Sequence, residues 1–243
     1  MSNNTRQIRT FIGAMMAAAL ITAGYAGWVS HSLHTYFALA VLALAAMTSR
    51  MKVKLPGVNG NMSVNLPFLL TAVVSLSAVE AVAITCVSTV VQCWPRKNAK
   101  LNPQQMAFNL SMMSFASCLA SLMFHADWLR GIEWSSSTLG LALATATLFL
   151  GQTAPVAAIV AVSEGKAAGE IWWGLAHLSF PYYVVSAGVT TMVQAVSSHP
   201  GWGLALAAFP VMYGIHRSYK LYFGKMAQTL RPEVAVKAMS AGA

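Results

Sequence analysis

The sequence predicts an all-α fold, a polytopic membrane helical bundle. It has 7–8 hydrophobic segments, including a short or re-entrant helical pair, with a small β-hairpin-like loop. Three observations carry this reading. Of 243 residues, 57% are hydrophobic and 9% charged, whereas an ordinary soluble domain carries about 25% charged residues. The apolar residues gather in runs near the length of about 20 residues that crosses a bilayer. The charges fall mostly between those runs. The 15 basic and 6 acidic side chains cannot cover a water-soluble protein of this size. Composition therefore excludes a soluble enzyme, a nucleic-acid-binding domain and a disordered chain. The net charge of +9 is read as basic loops held on the cytoplasmic face of a membrane, without a nucleic-acid partner.

The first apolar run covers 10–29, behind Arg6 and Arg9. It is span-length and no small-residue cleavage site ends it, so it is expected to be a retained first helix. The link His31-Ser32-Leu33-His34 is short enough to make runs 10–29 and 35–49 a helical hairpin. In 51–66, apolar and polar residues alternate on both sides of Pro56-Gly57-Val58-Asn59-Gly60, the pattern of a β-hairpin.

Residues 66–94 are apolar for 29 residues, enough for one tilted helix. Two features argue for a break instead. Ser75-Leu76-Ser77 lies in the middle, and Ser77-Ala78-Val79-Glu80 has capping-box spacing, which starts a new helix at Ala78. Charge placement agrees. If the stretch folds back, Lys52 and Lys54 share a side with Arg96, Lys97 and Lys100, and of the 15 basic residues only Arg130 lies outside.

Asn102-Pro103-Gln104-Gln105 then reads as a helix start, with Asn102 as cap, Pro103 in the first turn and Gln105 at the reciprocal position. That helix runs to about Phe124. A polar outer segment 125–136 follows. The next helix is capped at Ser135–Ser137 and interrupted by Gly151 and Pro155. Another covers 171–196 around Pro181, and a last one 202–216. The expected organisation is a cytoplasmic N-terminus (1–9), one membrane domain (10–216) and a basic cytoplasmic tail (217–243).

The candidate ligand-binding residues are Glu80, Asn109, Gln152, His177, Ser179, Tyr182 and Tyr183. Glu80 is the single acidic residue within an apolar span, which makes it a functional candidate; the capping box is its structural explanation. Asn109 lies two turns into its helix and suits either an interhelical bond or a ligand. Gln152, with Thr153, stands beside Gly151 and Pro155, where it either satisfies backbone freed by the proline or meets a ligand. Positions 179, 182, 183 and 186 share one helix face, giving a polar stripe of Ser179, Tyr182, Tyr183 and Ser186 close to His177. Interhelical hydrogen bonding is the competing explanation for the stripe. Trp128, Trp134, Trp172, Trp173 and Trp202 read as interface anchors. Cys86, Cys93 and Cys118 read as buried reduced thiols. The sequence holds no phosphate loop, HExxH or C-x-x-C, so neither catalysis nor a cofactor is expected.

The strings TAPVAAIVAVSEGK, WWGLAHLSFPYYVVSAG and GWGLALAAFPVMYGIHRSYKLYFGKM resemble a bacterial membrane module. It stands at the N-terminus of some cyclic-di-nucleotide signalling proteins, ahead of an HD-GYP phosphodiesterase or GGDEF cyclase domain. KVKLPGVNGNMSVNLPFLL, SLSAVEA and QMAFNLS fit it too, so the resemblance covers roughly 35–226. The chain has no HD dyad, GYP or GGDEF sequence, and no output enzyme is expected. The resemblance implies a sensor-like module that binds a small or lipidic ligand within the bundle and acts through a partner protein. The alternatives are a small-solute transporter or its substrate-binding membrane component, and an intramembrane lipid-modifying enzyme.

Overall fold

The computed structural model describes residues 3–29, 35–54, 61–95, 101–127 and 136–197, with isolated positions 213, 214, 217, 218 and 221. The expected turn 55–60, the link 30–34, the cluster 96–100, the outer segment 128–135 with its tryptophans, and the 202–216 helix and tail lie outside the described residues, apart from those isolated positions.

The described chain is helical, with one small strand pair. Its helices are α1 (Asn3–Val29), α2 (Thr35–Ser49), α3 (Leu66–Ser75), α4 (Ala78–Cys93), α5 (Pro103–Phe124), α6 (Ser136–Glu164) and α7 (Ala168–Ser197). Strand β1 (Lys52–Lys54) pairs antiparallel with β2 (Asn61–Ser63) between α2 and α3, Val53 opposite Met62. The expected hairpin strands are therefore present.

Span-length helices are fewer among the described residues than the expected 7–8 hydrophobic segments. Among the described residues, Thr5–Val29, Pro103–Phe124 and Thr138–Glu164 are long and apolar enough to cross a membrane, and three further apolar helices are shorter. Length and composition make this a membrane protein. The long α7 dilutes its apolar residues with Glu170, His177, two tyrosines and Gln194.

Side-chain pairs fix the direction of each helix. Phe11 stacks near Phe108 and the Cys118 thiol meets the Thr22 carbonyl, so α1 and α5 run parallel. Helix α4 is antiparallel to α5, with Cys93 beside Asn109 and Thr85 beside Ser117. Helix α6 is antiparallel to α5 and α7. One end of the bundle, the near end, thus holds the starts of α1, α5 and α7 and the ends of α4 and α6. The opposite end is the far end.

Helix α1 lies on α5, while α2 lies on α4 and α3. The expected α1–α2 hairpin is therefore not formed as a packed pair. Each helix finds a better apolar face elsewhere, and a short link constrains only where two helices meet, not what they pack on.

Helices α2 and α3 do not cross. At 1.5 Å per residue, 15 and 10 residues span about 22 and 15 Å, against about 30 Å of hydrocarbon. The Tyr182 hydroxyl bonds Leu66 N and the Ser63 carbonyl, and Tyr182 is at the midpoint of α7. Helix α3 therefore starts at mid-depth. It runs parallel to α7, since Thr190, two turns further on, meets the Pro67 carbonyl. Helix α2 ends beside this point, with the Ser63 hydroxyl donating to the Ser49 carbonyl. The chain thus enters from the far end through α2, turns in the β-hairpin and leaves through α3. Every α3 residue from Leu66 to Val74 is buried, which explains an all-round apolar helix.

Residues 66–94 do fold back, as expected. Their turn lies at the far end, and the inward reach belongs to α2 and α3. Ser77 accepts from Glu80 N, and Glu80 Oε2 accepts from Ser77 N (3.1 Å) and Ser77 Oγ (2.8 Å). This closed capping box restarts the chain as α4. Ser77→Ala is expected to cost about 1 kcal/mol, read as a melting temperature lower by roughly 2–4 °C. Glu80→Gln retains most of the box, because glutamine closes it too.

At α5, Asn102 accepts from the backbone N–H of Gln104 and Gln105; Gln105 enters this cap through its backbone. The expected interruption at Gly151 and Pro155 does not occur, and α6 is continuous. A Cβ on Gly151 would lie 2.7 Å from Ala116 Cβ. Glycine is there for close approach of α5 and α6. Gly165, at φ +67°, closes α6 with its N–H on the Ala161 carbonyl, a left-handed cap that glycine adopts without strain.

Candidate ligand-binding cavity

A cavity of about 490 Å³ opens between α1, α3, α4, α5, α6 and α7 toward the near end. Its wall includes Asn109, Gln152, Ser179, Tyr182 and Tyr183, five of the seven sequence candidates, supplied by three helices. The other two stand elsewhere. Glu80 is in the far-end capping box. His177 is exposed on α7, two positions from Ser179 and so on another face of the helix. Ionisability within an apolar run drew attention to both, but an N-cap carboxylate is already held by local hydrogen bonds.

The stripe on α7 is buried: Ser179 is 6% exposed, Tyr182 3%, Tyr183 5% and Ser186 0%. Its hydroxyl protons are committed inside the protein. Ser179 donates to the Leu175 carbonyl and Ser186 to the Tyr182 carbonyl, both at 2.7 Å. Such back-bonding to the preceding turn lets a hydroxyl sit in an apolar helix. Tyr182 donates to the Ser63 carbonyl at 3.1 Å and accepts from Leu66 N at 3.2 Å. Tyr183 donates to Gln152 Oε1 at 2.6 Å, and its ring meets Phe149 edge-on at 5.1 Å. Thr153 donates to the Phe149 carbonyl and accepts from Trp172 Nε1. The stripe is therefore both an interhelical fastening and a cavity wall. Thr153 does not serve the carbonyl of Gly151 that Pro155 leaves free.

Asn109 Nδ2 meets Cys93 Sγ at 3.4 Å, an α4–α5 contact made at the cavity edge. Cys118 is a buried free thiol, as expected, whereas Cys86 and Cys93 are free thiols only half-buried. Trp173 is 68% exposed, as suits an interface residue, whereas Trp172 is turned inward to Thr153.

Two donors in the wall have no partner among the described residues. Asn65 Nδ2 and Gln152 Nε2 are buried and make no hydrogen bond there. A buried unsatisfied donor costs roughly 1–3 kcal/mol, so each of these nitrogens calls for a partner beyond the described side chains. Asn65 is 4% exposed. It occupies the N-cap position of α3 without capping it. The sequence candidates do not include it. The signal was an amide at the start of a helix too short to cross the bilayer.

Among the described residues, no lining residue carries a charge, and seven are carboxamides. Gln92, Asn102, Gln104 and Gln105 stand toward the mouth; Asn65 and Gln152 lie deep. Phe108, Met112, Met113 and Leu69 supply apolar wall. The arrangement offers hydrogen bonding and apolar contact to a guest of small-molecule size. Among the described residues, no group of three or more His, Cys, Asp or Glu comes together. Beyond the mouth, Glu164 and Lys166 pair at 2.7 Å. This bond and charge hold the lysine above its ordinary pKa, though an exposed pair adds little stability.

Compared with protein-family models, curated proteins and solved structures, the chain finds no match.

Proposed function

We propose that this protein is a membrane module that binds a small or lipidic ligand in the cavity and passes the bound state to a partner protein. The unpartnered amides of Asn65 and Gln152 carry the reading. A guest that satisfies both joins the start of α3 to the middle of α6. Helix α3 is tied in turn to α7 through Tyr182 and to α2 through the β-hairpin. Occupancy therefore changes how firmly the half-crossing α2–α3 element is seated. The resemblance to the membrane module of cyclic-di-nucleotide signalling proteins supports the sensor role, and the charge pattern of the sequence supports a mouth on the cytoplasmic side.

The test is a thermal-shift screen of detergent-purified protein against fractionated lipid and metabolite extracts. A fraction at a hundredfold excess over Kd adds about 2.7 kcal/mol, a shift of roughly 5–10 °C at this chain length. Val156→Trp, which fills the cavity from α6, should abolish the shift. The reading fails if no fraction shifts the wild type, or if the variant responds equally.

A second reading, substrate binding for transport, draws on the half-crossing helices beside a cavity open at one end, a construction found in transporters. It requires solute flux in proteoliposomes that Val156→Trp blocks. Binding without flux favours the sensor.

A further inference from the structure

The deep end of the cavity has a one-sided hydrogen-bond character. Ser179, Tyr182, Tyr183 and Thr153 each spend their single hydroxyl proton on an acceptor within the protein. Gln152 Oε1 is engaged by Tyr183 at 2.6 Å, which fixes the orientation of the amide and leaves its nitrogen free. Asn65 Nδ2 is likewise buried and without a partner among the described residues. The fully buried polar side-chain atoms left unpaired there are thus two amide nitrogens, both donors. Among the described residues, the lining has no lysine, arginine or histidine to neutralise an anion and no carboxylate to meet a cation. A full charge taken out of water without a partner is strongly disfavoured.

We infer that the deep end receives an uncharged hydrogen-bond acceptor, a carbonyl oxygen on an apolar body, gripped by the Asn65 and Gln152 amides. This rests on the ligand-binding reading and narrows it. Carboxylates, phosphates and amines are rejected for want of a counter-charge. Plain hydrocarbons are disfavoured because they leave both donors unsatisfied. Selection by groups left unpaired with the wrong guest is the stronger kind of discrimination.

Three probes of one shape test this: 2-acetylnaphthalene, 2-ethylnaphthalene and 2-naphthoate. Each is titrated calorimetrically into purified protein in micelles, with empty micelles subtracted. The ketone is expected to bind at least about tenfold tighter than the ethyl compound, one hydrogen bond's worth, and the carboxylate weakest. Asn65→Leu should remove the ketone's advantage and leave the ethyl compound unchanged. The first comparison needs only the wild type, so it stands whether or not a variant folds. Equal binding of ketone and hydrocarbon, both weakened by Val156→Trp, overturns the acceptor selection while keeping the cavity as the site. Tightest binding of 2-naphthoate overturns the uncharged requirement. Binding by none of the three, or binding untouched by Val156→Trp, overturns this inference together with the ligand-binding reading.

Discussion

Gly151→Leu is expected to separate α5 from α6 and to abolish stable folding in detergent. The Cβ alone would stand 2.7 Å from Ala116 Cβ and 3.3 Å from Ala116 Cα, closer than carbon atoms approach without contact. Neither position is the far end of a flexible side chain, so the helices themselves must move. Gln152 follows Gly151 directly, and its 2.6 Å bond from Tyr183 would be disturbed too. The smaller change Gly151→Ala separates two principles by sign. Helix propensity alone favours alanine by about 1 kcal/mol. Overpacking costs about 1–3 kcal/mol. With the two Cβ atoms this close, overpacking outweighs propensity, so the melting temperature should fall. Ala116→Gly in the same chain removes the opposing Cβ and should restore most of the loss. A Cβ on Gly174 would meet nothing within 4 Å, so Gly174→Ala should be neutral or slightly stabilising.

Tyr182→Phe is the second large effect. One hydroxyl serves two buried backbone groups, the N–H of Leu66 and the carbonyl of Ser63. Its removal leaves both without a partner in the bundle interior, at roughly 1–3 kcal/mol each. The loss should be local as well as global. Hydrogen exchange is expected to accelerate over 61–69, where α3 and β2 lose their anchor, more than in α5. Ser179→Ala makes a contrast, because that hydroxyl only bonds back to its own helix, and its effect on stability should be small.

The parts of this molecule governed by short-range chemistry were legible in the sequence. The Ser77–Glu80 box, the Asn102 cap, the strand pair around 55–60 and the shared face of Ser179, Tyr182, Tyr183 and Ser186 all follow from residues within a few positions of one another. What escaped depends on distant partners. Tyr182 sets the depth of α3 through bonds to residues 116 and 119 positions away, and hydropathy cannot distinguish a helix that ends at mid-depth from one that crosses obliquely. Gly151 and Pro155 resemble a helix break by type, yet Gly151 serves contact with α5, and that is decided by Ala116. Glu80 and His177 stood out as ionisable groups in an apolar chain, although one is satisfied by its own cap and the other faces outward. Asn65 was hidden for the opposite reason. Its role comes from lacking a partner, and a sequence does not display a missing partner.

Whether the cavity holds a guest is read most directly by native mass spectrometry of protein extracted gently from its own membranes. The wild type is expected to carry a discrete adduct of small-molecule mass that is released at moderate collision energy. Val156→Trp, purified in parallel, should lack it, and Asn65→Leu should retain less of it. Identical spectra for the wild type and Val156→Trp would contradict guest binding in the cavity.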